Sequence, residues 1–183
     1  MAPFLPQISI HSPTAFLQQH WRQILPSWSV PVQALALYLQ YSPVSLCDRT
    51  ANTEQHKAIL RQNFLTQAEQ WSTALEGLGY WVDYFDPKFG TPVRSPAGLQ
   101  LLDDVALAQQ LLHFPVQAQG ECKLLCHPAW GTHVFPSTLV TSASPPILTR
   151  LMACLRSPQL WINLSSSGFP QNPFPSDSPP SPS

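Results

Sequence analysis

Charged side chains are scarce in this sequence. Asp, Glu, Lys and Arg together account for 10% of its 183 residues, against about a quarter in an average globular domain. The formal net charge is −1. Binding to nucleic acid or to an anionic membrane surface requires clustered basic residues. We therefore expect neither nucleic acid nor a membrane as a partner.

Long apolar runs and targeting signals are lacking as well. No segment offers the roughly 18 continuous apolar residues of a membrane-spanning helix. The first residues contain neither the basic region of a signal peptide nor the arginines of a transit peptide. We therefore expect a cytoplasmic protein whose cysteines are reduced thiols. These are Cys47, Cys122, Cys126 and Cys154.

The length fits one domain with a full core. Residues 1–20 contain three prolines and little periodicity, so we predict an N-terminal extension there. Residues 21–156 are predicted to form the domain. Residues 157–183 are rich in Ser and Pro and lack a core pattern, which predicts a disordered tail.

Hydrophobic periodicity predicts an α+β fold in which helices cover one side of a sheet. The predicted elements are a strand at 32–41, a long helix from Thr53, a strand at 80–85, a short helix capped by Asp103 or Asp104, a hairpin of strands 122–126 and 132–141, and a helix from Pro145 to Leu155. Pro136 places the second hairpin strand at an edge or a bulge.

Soft and titratable side chains are concentrated in residues 120–134. Cys122, Cys126 and His127, with His133 a few residues on, are the ligand types that zinc prefers. In a strand, however, the Cα atoms of Cys122 and Cys126 would lie roughly 13 Å apart. That distance is too long for one ion or for a disulfide. The spacing therefore argues against a metal site.

A nucleophile formed by Cys122 or Cys126 with His133 as its base is a second hypothesis. The alternative is a pair of cysteines that pack as small apolar groups, with His133 bonding a backbone carbonyl at the turn. The sequence supplies no third orienting group, which favours the alternative. Asp83 is predicted on the exposed face of its strand, and Asp86 as the start of a turn.

Two segments resemble the methylmalonic aciduria and homocystinuria type D protein family of cobalamin-trafficking adaptors. The first is Leu75–Pro87, in which a helix runs into Gly-Tyr-Trp-Val-Asp-Tyr-Phe-Asp-Pro. The second comprises Cys122-Lys123, His127, the segment Trp130–Val134 and the segment Thr141–Pro145. The resemblance extends from about Trp21 to Leu155.

The resemblance implies a single domain with a flavin-nitroreductase-like fold that binds no flavin. It implies a non-enzymatic adaptor that holds no permanent cofactor, docks on a cobalamin-processing protein and shares cobalamin with it. In the family, a thiolate from a Cys-Cys pair directly before a Lys coordinates cobalt.

This sequence departs from the family pattern, because the pair reads Glu121-Cys122. Both residues are candidate cobalt-facing positions. A shift of one residue in a strand turns the side chain to the opposite face, and a carboxylate is a harder ligand than a thiolate. The resemblance assigns partner contact or site architecture to Trp130, Gly131, Thr132 and His133.

Two alternatives stay open. One is a flavin- or thiol-dependent reductase of the same fold, against which the scarcity of Lys and Arg argues, since a flavin phosphate needs cations. The other is a degenerate scaffold that keeps the fold and the partner surface without cobalt contact. Glu121 in the first position of the pair favours that second alternative.

Overall fold

An antiparallel sheet of four strands lies at the centre of the fold. The structure is a computed structural model and describes residues 5–48, 50–120 and 122–156. Its elements are β1 (Gln7–His11), α1 (Ala15–Ile24), β2 (Ala34–Tyr41), α2 (Ala51–Gly77), β3 (Val82–Tyr84), α3 (Asp104–Leu112), β4 (Val116–Gln119), β5 (Cys122–Leu125), β6 (Val134–Thr141) and α4 (Pro145–Arg156). The sheet order is β1-β2-β6-β3, and β4 and β5 form a separate two-stranded hairpin.

Helices cover both faces of the sheet, and β2 is therefore buried on both faces. Leu35, Leu37 and Leu39 point into a core formed with α1 and α3. The alternate residues of β2, including Tyr38, point into a second core formed with α2 and α4. The mixed α/β class predicted from the sequence is confirmed. The prediction of helices on one side only is wrong, since α1 was not recognised.

The segment 1–20 is not a simple extension. Within its described part, β1 pairs with β2 over the whole strand, from Gln7 opposite Leu39 to His11 opposite Leu35. Thr14 caps α1, which buries Leu17 with the later residues Trp21 and Ile24. This i, i+4, i+7 spacing is a readable helix signal. The prolines of this segment suggested an irregular chain, but Pro6 and Pro13, which the structure describes, lie just outside β1 and α1.

The predicted hairpin of strands 122–126 and 132–141 is also wrong. β5 pairs with β4, whereas β6 crosses to the main sheet and pairs with β2 and β3. Pro136 lies in this interior strand, opposite Leu39. β3 reaches only as far as Leu139, so within the described chain no strand flanks Pro136 on that side. The missing N–H of proline is tolerated there.

The long helix α2 agrees with the prediction. Thr50 caps its start, and the buried stripe includes Phe64, Trp71 and Leu75. Its last residue is Gly77, as the glycines after Glu76 indicated. No helix in the described part of the chain is long and apolar enough to cross a membrane. The predicted disordered tail, 157–183, lies outside the described residues.

Candidate functional site

A cleft of about 410 Å³ opens beside β5. We call it the Cys122 cleft. It is lined by segments 87–90, 101–105, 122–125 and 134–136 and by Leu46 and Lys57. A second cleft of about 340 Å³ shares Lys57, Pro87, Lys88 and Phe135 with it. The two therefore form one continuous groove.

The turn at 86–90 forms one wall of the groove. Arg61 of α2 binds the Asp86 carboxylate with two nitrogens, one of them Nε at 2.7 Å. This bidentate ion pair lowers the pKa of Asp86. Gly90 closes the turn with a φ of 67° and lies against the Leu102 backbone. The wall is thus fixed on both sides.

Basic residues collect along the groove. Of the nine Lys and Arg residues in the chain, four line it: Lys57, Arg61, Lys88 and Lys123. Lys57 pairs with Glu54 at 2.9 Å, and Arg61 pairs with Asp86. Glu54, Asp103 and Asp104 line the same groove, so charges of both signs are concentrated there.

Asp104 is a buried acid on the floor of the Cys122 cleft. It is 8% exposed, and Thr138 Oγ1 donates a hydrogen bond of 2.5 Å to its Oδ1. Burial raises the pKa of Asp104 from 3.8 to about 7, the Thr138 bond opposes this shift, and the charges of Asp103 and Asp86 add to it. Of the two predicted cap residues, Asp103 caps α3, accepting from Ala106 N at 2.9 Å.

Cys122, the first residue of β5, is half-buried and lines the cleft. Cys47 lies near it, with its Sγ 3.9 Å from the carbonyl oxygen of Gln119, the register partner of Cys122. Partial burial, followed by the hydrogen bond and charge of Cys122, raises the pKa of Cys47 to about 11. The structure therefore gives Cys122 a thiol neighbour from a distant part of the chain.

His127 organises the turn that follows β5. Its Nδ1 accepts hydrogen bonds from the backbone N–H groups of Ala129 and Trp130, at 3.1 and 3.2 Å. The ring proton is consequently on Nε2, which donates to Gln7 Oε1 at 3.0 Å. Burial lowers the pKa of His127. The ring also stacks on Trp130 with centroids 4.2 Å apart.

The predicted site residues 130–133 hold the turn and β2 together. His133 Nδ1 donates to the Ser42 carbonyl at 2.9 Å. A backbone carbonyl was predicted as the partner of His133, in preference to a Cys/His nucleophile, but at the turn itself. The acceptor belongs instead to the residue that follows β2. Trp130 is buried, Gly131 has a φ of 57°, and Thr132 is half-buried between them and His133.

The described residues contain no group of three or more His, Cys, Asp or Glu side chains that could hold a metal ion. Cys126 contacts the Leu124 carbonyl at 3.9 Å. The ring nitrogens of His127 are hydrogen-bonded within its turn and to Gln7, and Nδ1 of His133 is bonded to the Ser42 carbonyl. Glu121, the other candidate cobalt-facing position, lies outside the described residues.

Asp83 is buried, so its predicted placement on an exposed face is wrong. Its Oδ1 accepts from the backbone N–H groups of Tyr84, Val93 and Arg94, at 2.8 to 3.1 Å. Ser95 Oγ donates to Oδ2 at 2.5 Å. Burial raises the pKa of Asp83, and these hydrogen bonds oppose the shift. Asp83 therefore holds the loop after β3 against the strand through these hydrogen bonds.

Sequence reasoning missed Cys47 and the burial of Asp104. Cys47 carries no spacing signal, because it meets Cys122 only through the folded sheet. Asp104 had a weak signal, since it begins a helix whose first turn already has a cap at Asp103. Whether a second acid beside a cap is exposed or buried cannot be read from the sequence until the packing of the helix is known.

These features define a class: a small mixed α/β domain with an antiparallel sheet, whose groove presents a thiol among charged and apolar side chains. The chain belongs to the methylmalonic aciduria and homocystinuria type D protein family, which it matches over residues 7–152.

Individual relatives agree with this assignment. A cobalamin trafficking protein CblD from Gallus gallus is 32% identical over 100 residues, covering 54% of this chain and 34% of the relative. The Homo sapiens protein of that name is 33% identical over 92 residues, covering 50% and 31%. The match thus spans about a third of the length of these curated relatives.

Proposed function

We propose that this chain is a non-enzymatic adaptor in cytoplasmic cobalamin trafficking, and that it docks on a cobalamin-processing protein. The observation that carries the proposal is the family match over residues 7–152, together with relatives named cobalamin trafficking protein. The matched range contains all four strands of the sheet and the Cys122 cleft. Trafficking is a transfer between proteins, which requires a docking surface rather than a complete active site.

Cys122 is the residue that we propose faces cobalt. It is the thiol of the Glu121-Cys122 pair and the first residue of β5, and it lines an open cleft. A thiolate is a soft ligand suited to a transition metal, and it is better suited than the neighbouring carboxylate of Glu121. Because Cys122 is only half-buried, its sulfur is accessible from the cleft.

The size of the cleft supports a shared rather than an enclosed cofactor. Cobalamin consists of a corrin macrocycle with a nucleotide loop, and a cleft of about 410 Å³ can hold only part of it. The remainder would lie in the partner. Accordingly, we propose that the chain alone holds no permanent cofactor.

The rim of the cleft offers a surface for the partner. Phe89 and Leu101 line the cleft and are each 55% exposed. Exposed apolar side chains beside a site are typical of protein interfaces. Trp130, Gly131, Thr132 and His133 contribute by keeping the turn after β5 in place, rather than by touching the partner.

The finer fold assignment is part of the same proposal: a nitroreductase-related fold that binds no flavin. One observation favours the alternative of a flavin- or thiol-dependent reductase, namely the four basic residues along the groove, which could attract a phosphate. Two of them are already paired, Lys57 with Glu54 and Arg61 with Asp86. Uptake of FMN by the purified chain, seen as a yellow protein, would establish the alternative.

Complex formation with a cobalamin-loaded processing protein tests the adaptor. We expect a complex by size-exclusion chromatography and a change in the cobalamin absorption spectrum on mixing. Cys122→Ser should abolish the spectral change, whereas Cys126→Ser should retain it. A complex without any spectral change would indicate a scaffold without cobalt contact, and failure to bind any cobalamin-handling protein would refute the adaptor role.

A further inference from the structure

Cys47 and Cys122 come from distant parts of the chain and lie near each other in the fold. Cys47 lies in the loop between β2 and α2, and its Sγ lies 3.9 Å from the carbonyl oxygen of Gln119. Gln119 is the register partner of Cys122 in the β4–β5 hairpin. Cys47 therefore lies at the end of the hairpin where Cys122 begins β5. In agreement with this position, Cys122 is among the groups that raise the pKa of Cys47.

The packing around the pair leaves one side open. Cys47 packs against a small apolar cluster of Leu46, Leu60 and Leu124. Leu46 and Leu124 also line the Cys122 cleft, as does Cys122 itself. Both thiols are half-buried. A small reagent that enters the cleft can thus reach Cys122 while Cys47 stays directly beside it.

The other two cysteines are differently placed. Cys154 lies on α4 and is buried. Cys126 is half-buried, and its thiol contacts the Leu124 carbonyl. All four cysteines belong to the described residues, and each is a free thiol in the structure. They provide internal controls for a reaction that needs two neighbouring sulfurs.

We propose that Cys47 and Cys122 form a two-thiol site that reacts with low-molecular-weight disulfides and closes to an intramolecular disulfide. The Cys122 thiolate attacks one sulfur of the reagent, which breaks the reagent's S–S bond and releases one small thiol. Cys47 then gives up its proton and attacks the Cys122 sulfur of the mixed disulfide, which releases the second small thiol. The two protein thiols are oxidised and the reagent is reduced by the same two electrons.

Closure has a consequence for the site. The Cys122 sulfur would be withdrawn from the cleft as a ligand, so cobalt contact would require the reduced pair; this consequence rests on the proposed function. Disulfide formation itself does not, because it needs neither cobalamin nor a partner.

The test uses the purified full chain, reduced and then incubated with oxidised glutathione without cobalamin. We expect the loss of two alkylatable thiols per chain and a Cys47–Cys122 linked peptide by mass spectrometry. The Cys126→Ser, Cys154→Ser double variant should behave in the same way. Cys47→Ser should instead stop at one glutathione on Cys122. Because the bond closes a long loop, oxidation of the wild type should raise Tm on the order of 10 °C.

The proposal is overturned if wild-type Cys122 accumulates as a stable glutathione adduct while Cys47 stays alkylatable. It is equally overturned if linked peptides join Cys47 or Cys122 to Cys126 as often as to each other. Either result would leave the adaptor role untouched, since the adaptor experiment monitors complex formation and the cobalamin spectrum. Conversely, failure of the adaptor experiment would leave the two-thiol site intact.

Discussion

Asp104 links the chemistry of one residue to the stability of the whole domain. Its pKa is raised from 3.8 to about 7 by burial, so between these values the folded state holds a proton that the unfolded chain has released. Stability contributed by this carboxyl is therefore fully present below pH 3.8, falls as pH rises, and is lost above about pH 7.

Asp104→Asn should remove this loss, because an amide fits the same space and bonds Thr138 without ionising. We expect the free energy of unfolding of the variant, relative to wild type, to increase from pH 4 to 7 by up to about 4 kcal/mol and then to level off. Urea titrations at several pH values measure it. Asp103→Asn, at the exposed neighbouring cap, is the comparison and should show a much smaller slope, because it removes only one minor contribution to the Asp104 pKa. A flat difference for Asp104→Asn would show that the acid ionises normally.

His127 permits a second test at the same scale. Its Nδ1 accepts two backbone N–H groups, which mimics the turn that an Asn side chain makes with the backbone two residues on. His127→Ala should cost about 1–3 kcal/mol through the unpaired N–H groups. His127→Asn should cost less, because its carbonyl can accept the same bonds. Equal losses in thermal melts would place the contribution in the stacking on Trp130 instead.

At the scale of elements, Asp83 joins β3 to the loop that follows it. Four groups donate to its carboxylate, three of them backbone N–H groups. The loop is also held by Arg94, which pairs with Glu69 and Glu76 of α2, each at 2.5 Å. These ion pairs are partly exposed and contribute little to stability. The buried hydrogen bonds of Asp83 should therefore contribute more.

Asp83→Ala should therefore destabilise the domain by about 2–4 kcal/mol, since it leaves buried donors unpaired. Asp83→Asn should lose much less, because its oxygen can accept the backbone bonds and its amide can donate to Ser95. Arg94→Ala serves as the comparison, with an expected loss of about 1 kcal/mol or less. Guanidinium unfolding ranks the three variants, and a larger loss for Arg94→Ala than for Asp83→Ala would contradict this assignment.

Elements were predictable wherever local pattern decides them. The stripe of α2, the Asp86 turn and the sequence alternation in β2 are local, and the structure has a helix, a turn and a strand at these places. Strand pairing was not predictable, because the local pattern of the strand at 122–125 is compatible with pairing to β4 or to β6. Only the assembled sheet decides between them. For the same reason, neither the bond from His133 to the distant Ser42 carbonyl nor the proximity of Cys47 and Cys122 could be predicted.

At the scale of the whole molecule, the N-terminal strand determines where the domain begins. β1 covers the edge of β2, and Ile8 and Ile10 pack against the core beneath α2 and α4. Gln7 on the same strand accepts a hydrogen bond from His127 Nε2. The strand therefore contacts both the sheet and the turn after β5. Substitutions in it should consequently alter the position of that turn beside the Cys122 cleft.

Replacing Ile8 and Ile10 together by Ala should lower the free energy of unfolding by about 2 kcal/mol, because both side chains are only partly buried and full burial would cost more. Ser12→Ala, at an exposed residue just after the same strand, should leave stability unchanged within about 0.5 kcal/mol. Urea unfolding followed by the fluorescence of the tryptophans measures both variants. If the double variant were as stable as wild type, residues 1–20 would be the extension that their prolines suggested, and the domain would begin after them. A loss near the expected value would instead place the domain boundary before β1, so that any fragment used for partner binding must include it.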